Sequence, residues 1–98
     1  MYKIELANRI TDLLGVPKVQ FSTGSTEPRE LFLQVAVALG IDISEARTKP
    51  AIAKKIVESA GEPWQVDYES SGSTITLKGL EAVHSAVEFF LQNRPETN

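Results

Sequence analysis

The stretch from Leu31 to Leu39 constrains this chain most, because only Gln34 interrupts a run of apolar side chains. Leu31, Phe32, Leu33, Val35, Ala36, Val37, Ala38 and Leu39 would cover every side of a helix. A helix apolar all round is normally buried on most sides. It is therefore either the central element of the fold or an element with one flank against a partner chain. Thr26 supplies an N-cap and Pro28 suits the first turn, so the spacing predicts a helix over Glu27–Leu39, ended by Gly40.

The remaining elements must cover that helix. From Tyr2 to Leu14, the residues Tyr2, Leu6, Ile10, Leu13 and Leu14 recur at helical spacing, and Gly15-Val16-Pro17 stops the run. Val19-Gln20-Phe21 alternates as a short edge strand would. Ile41 to Arg47 reads as a connecting loop. Thr48 then caps a third helix, Lys49–Ala60, with Pro50 in its first turn and Gly61 behind it. Its core stripe is Ile52, Ala53, Ile56, Val57 and Ala60; Lys54, Lys55, Glu58 and Ser59 lie opposite. Trp64–Tyr68 and Thr74–Leu77 alternate with period two around Glu69–Ser73, which predicts a β-hairpin. A last helix runs from Leu80 to Gln92, with Leu80, Val83, Val87, Phe90 and Leu91 inward, and Trp64 and Phe90 are expected in the core. The fold class expected is α+β, mainly helical, in the order α-(β)-α-α-β-β-α. Residues 1–93 are expected to form a single domain, with 94–98 as a flexible tail.

Composition narrows the chemistry. Ninety-eight residues supply one modest core. The absence of cysteine removes disulfides, thiolate metal sites and a thiol nucleophile together, and suits a reducing, cytoplasmic setting. No uncharged apolar run is long enough to span a membrane, and Lys3, Glu5 and Arg9 inside the first apolar pattern argue against a signal peptide. His84 is the sole histidine, at the border of the last helix's apolar stripe. With no second imidazole or thiolate to join it, neither a metal nor a cofactor is expected. Asp67 and Glu69, with Lys78 beyond the turn, faintly resemble metal-dependent nuclease patterns. Those place a lysine two residues after the acid, where this chain has Ser71, so a solvated strand face is expected instead. No enzyme is expected.

Charge is distributed unevenly. The net charge is −3, yet Arg47, Lys49, Lys54 and Lys55 fall within nine residues that contain no acid. The other six basic residues stand against all thirteen acidic ones, a balance of −7. An acidic body with one basic edge is what a single anion-facing surface requires. Two short repeats add hydroxyls and backbone N–H groups at turns: Gly24-Ser25-Thr26, and Gly72-Ser73-Thr74 with Ser71 beside it. Each suits a phosphate contact, and each equally suits a helix cap or a hairpin tip.

Three helices over Tyr2–Leu14, Glu27–Leu39 and Lys49–Ala60, the third exposed and basic, followed by a hairpin over 64–77, resemble the winged-helix order. That resemblance implies a third helix entering the major groove and a hairpin wing touching the backbone. This wing carries Asp67 and Glu69, and the link from Gly40 to Thr48 exceeds a tight helix-turn-helix turn. Within residues 28–60, Leu39-Gly40-Ile41, Ser44 and Thr48-Lys49-Pro50-Ala51-Ile52-Ala53-Lys54-Lys55-Ile56 are similar to the SAP-type helix–extended loop–helix module. Both resemblances imply a non-catalytic DNA-binding module, the targeting domain of a larger enzyme or regulator. The contacts expected are Arg47, Thr48, Lys49, Lys54 and Lys55, with Ser25, Thr26, Ser71 and Ser73, made mostly to phosphates. The competing expectation is a protein-interaction or homodimerisation domain built on the apolar second helix.

Overall fold

Four helices and one small hairpin make up residues 3–20, 29–70 and 74–93, which the computed structural model describes. The helices are α1 (Lys3–Leu14), α2 (Arg29–Leu39), α3 (Lys49–Ser59) and α4 (Leu77–Gln92); β1 (Glu69–Ser70) and β2 (Thr74–Ile75) pair between α3 and α4. Each helix turns one stripe inward at the 3.6-residue period. Leu6, Ala7 and Ile10 of α1 meet Leu31, Phe32, Val35 and Ala36 of α2 in one core. Ile52, Ala53, Ile56 and Val57 of α3 and Leu80, Val83, Ala86 and Val87 of α4 complete it. Among the described residues Thr11 is the buried polar one, and its hydroxyl donates to the Asn8 carbonyl at 3.0 Å. The chain is thus mainly helical α+β, as its patterning predicts.

The hub is α4. It packs against α1, α2, α3 and the hairpin, whereas α2 leans mainly on α1 and α3. The flank of α2 opposite the core stays open: Leu33 is half-buried and Val37 is 76% exposed. The helix is therefore covered on its core side and only partly on the other.

Gly15, Gly40 and Gly61 end α1, α2 and α3 with positive φ, as the sequence predicts. After α2, for instance, the Ile41 N–H closes back on the Ala36 carbonyl at 2.9 Å, a turn that a left-handed residue permits.

The segment Trp64–Tyr68 is not a strand. Val66–Tyr68 coils once as a 3₁₀ turn, and Val66 is 91% exposed. Trp64 and Tyr68, four residues apart, stack edge to face at 5.1 Å, a contact that an extended strand would separate. Pairing shrinks to two residues on each side, with Glu69 opposite Ile75 and Ser70 opposite Thr74. Trp64 and Phe90 lie half-buried at the core's rim rather than inside it. The indole N–H of Trp64 explains its place, since it donates to Glu69 Oε2 at 2.6 Å and must stay near the surface. Val19 packs on the core and Gln20 is exposed, with no ladder formed by either; Phe21 lies outside the described residues.

Helix α4 begins at Leu77, three residues before the apolar period suggests. Thr76 caps it, accepting from the Gly79 N–H at 3.2 Å and donating to the Asp67 carbonyl at 2.7 Å. Gly79 is buried in the first turn, where any Cβ would press into the Tyr68 carbonyl and the Ile75 side chain. This glycine marks a close approach of backbones, not a break in the helix. Tyr2, the predicted cap and first turn of the second helix (Thr26, Glu27, Pro28) and the tail 94–98 lie outside the described residues. Among the described residues no helix is long and apolar enough to cross a membrane.

Candidate nucleic-acid interface

The basic cluster is organised around the start of α3. Thr48, in extended conformation, accepts the Ala51 N–H on its hydroxyl oxygen at 3.3 Å, and its carbonyl accepts from Ile52 at 3.0 Å. Pro50 carries no N–H. The first turn therefore presents few free backbone donors, and anion affinity here must come from side chains. The Thr48 hydroxyl keeps its own proton and can still donate it.

The loop from Gly40 to Thr48 is firmly seated. Ala46 is buried, and Ile41 and Ile43 pack against the core. Its bend is built by the Ser44 N–H on Asp42 Oδ1 at 3.0 Å and the Ala46 N–H on the Ile43 carbonyl at 2.9 Å. The Ser44 backbone and side-chain hydrogen bonds, then the charge of Lys55, hold the Asp42 carboxyl below its ordinary pKa. Asp42 is therefore held as an anion, within reach of the charge of Lys55.

Arg47, Lys54 and Lys55 are exposed, as the sequence predicts, whereas Lys49 is half-buried. Among the described residues neither Lys54 nor Lys55 forms an ion pair, Lys54 not even with Glu58 one helical turn away. A fourth surface cation joins them. Arg29, in the first turn of α2, donates through Nε to the Arg47 carbonyl at 2.8 Å. Eighteen residues separate the two in the chain, so no local pattern links them; only the reach of a long side chain across a helix–loop–helix step does. Ser25, Thr26, Ser71 and Ser73 lie outside the described residues.

The acidic groups of the hairpin region are occupied. Lys78 Nζ pairs with Asp67 Oδ2 at 3.2 Å, and Glu69 accepts the Trp64 indole N–H. Asp67 stands in the 3₁₀ turn, so the expected face of two strand carboxylates does not exist. His84 is mostly enclosed in a shallow groove between α1 and α4 that Arg9, Asp12, Leu13 and Glu88 also line, and its Nδ1 lies 3.7 Å from Glu88 Oε1. Among the described residues no group of three potential metal ligands comes together. No family model, curated protein or solved structure matches the chain.

Proposed function

We propose that this domain is a non-catalytic DNA-binding module that docks the face bearing Arg47, Thr48, Lys54 and Lys55 against phosphates. One observation carries the proposal: Lys54 and Lys55 stand exposed, without ion-pair partners among the described residues, on a helix whose opposite face is fully committed to the core. The rest of the chain carries a balance of −7, so an anionic polymer meets attraction on this face and net repulsion elsewhere. The winged-helix-like element order supports this orientation, with α3 toward the duplex. No array of Arg, Asn and Gln on the outer face of α3 offers a base-reading code, so the contacts are to the backbone. Such a module suits the targeting domain of a larger enzyme or regulator.

Titration of labelled duplex DNA by fluorescence anisotropy, at about 50 and 200 mM salt, tests it. Binding should weaken steeply across that range and vanish in Lys54→Glu/Lys55→Glu, with the circular-dichroism spectrum unchanged. A folded wild type that ignores DNA at low salt refutes the proposal.

A second reading rests on the open flank of α2. Leu33, Val37 and Ala38, with Val16, line a shallow apolar hollow in which Val37 is largely bare. A protein-interaction or dimerisation domain would use that surface. Sedimentation that reports a concentration-dependent dimer, lost in Val37→Asp, together with no DNA affinity, would favour it.

A further inference from the structure

Arg29 contributes more than another positive charge. Of the five N–H donors on its guanidinium, the Nε–H is spent on the Arg47 carbonyl, and the terminal four remain. A guanidinium anchored in this way has already lost much of its side-chain freedom, so the cost of ordering it on a ligand is reduced. Its two terminal nitrogens form an end-on fork that matches two oxygens of a phosphate. The Arg47 side chain leaves the same residue whose carbonyl holds Arg29, and Thr48 with its donatable hydroxyl follows directly. Three residues carrying donors of phosphate-binding type are thus tied together by one hydrogen bond and one peptide bond, and Arg29 and Arg47 are both exposed.

Resting on the DNA-binding reading above, we propose that Arg29, Arg47 and Thr48 form a phosphodiester subsite distinct from the lysine pair. Lys54 and Lys55 lie six and seven residues beyond the cap, roughly 9–10 Å along the axis at 1.5 Å per residue. That separation is wider than one phosphate group. The two subsites take different phosphates of one polymer, so the ligand is a strand presenting at least two phosphodiesters and not a single free phosphate.

The experiment measures affinity for labelled duplex DNA and its dependence on salt for the wild type, Arg29→Ala, Arg29→Lys, Arg47→Ala and Lys54→Ala/Lys55→Ala. Each variant's fold is checked by circular dichroism. Arg29→Ala should lower the salt slope by about one and weaken binding several-fold. Arg29→Lys should keep the wild-type slope yet bind more weakly, since an ammonium cannot hold the carbonyl and fork a phosphate together. Inorganic phosphate, at ionic strength matched with chloride, should not displace the DNA. A wild type that binds DNA while Arg29→Ala and Arg47→Ala keep its slope and affinity overturns the arginine subsite and leaves the lysine face standing; Arg29 would then only pin α2 to the loop. Displacement by inorganic phosphate at matched ionic strength overturns the two-phosphate ligand. A wild type that binds no DNA removes the DNA reading and this subsite together.

Discussion

Helices α2 and α3 have the same length of eleven residues and close on the same glycine turn, yet they use their outer faces in opposite ways. Both give four large or small apolar residues to one core. Outside, α2 shows water Val37 and a half-buried Leu33, whereas α3 shows Lys54, Lys55 and Glu58. The inner faces are interchangeable in kind; the outer faces are not. What positions these helices is therefore the buried stripe, and what distinguishes them is the surface that folding does not need.

That contrast can be broken by substitution. Phe32→Ala, at a fully buried position of α2, should cost about 3–5 kcal/mol, measured by urea denaturation. For a domain with only about 5–15 kcal/mol in total this approaches unfolding; a loss below 1 kcal/mol would mean that α2 does not set the fold. Thr48→Ala should cost about 1 kcal/mol through the lost cap, and Thr48→Ser should restore most of it. Asp42→Asn keeps an acceptor for the Ser44 N–H while removing the anion beside Lys55, so DNA affinity at low salt should rise roughly twofold. Unchanged or weaker binding would move the contact surface away from this loop. Because the Asp42 pKa is lowered on folding, its contribution to stability is complete above the ordinary carboxylate range and is lost only as pH falls through the lowered value. Changing pH between 6 and 8 should therefore leave this anion's effect untouched. Val37→Ser should alter stability by no more than about 0.5 kcal/mol, and its melting temperature should match that of the wild type at low protein concentration.

The helices were legible because their signals are local. Apolar residues three and four apart, Thr48 before Lys49-Pro50, and Gly15, Gly40 and Gly61 each act over a single turn. The hairpin was half legible. Period two over Trp64–Tyr68 also fits residues one helical turn apart, and the stacking of Trp64 on Tyr68 selected the coil. Lys78-Gly79 resembles a turn in one dimension; only the approach of the Tyr68 carbonyl shows why a helix needs a glycine there. At the candidate interface, Arg47, Lys54 and Lys55 were visible as a charge run, with their exposure following from the core stripe opposite. Arg29 was not, because its link to Arg47 depends on how α2 docks, which no neighbouring residue encodes. That Lys49 is half-buried is likewise not visible in the helical pattern.

Helices α1 and α4 begin at one end of the molecule and run in the same sense. Lys3 Nζ donates to the Ile75 carbonyl just ahead of α4, and farther along Arg9, Asp12 and Leu13 flank His84 and Glu88. For a chain emerging from the ribosome this arrangement imposes a wait. Leu6, Ala7 and Ile10 can meet α2 early, but the larger share of their cover waits until Val83 and Val87 of α4 have been synthesised, several seconds later at about 5–20 residues per second. The core therefore closes only when α4, which packs on all three earlier helices, has joined it.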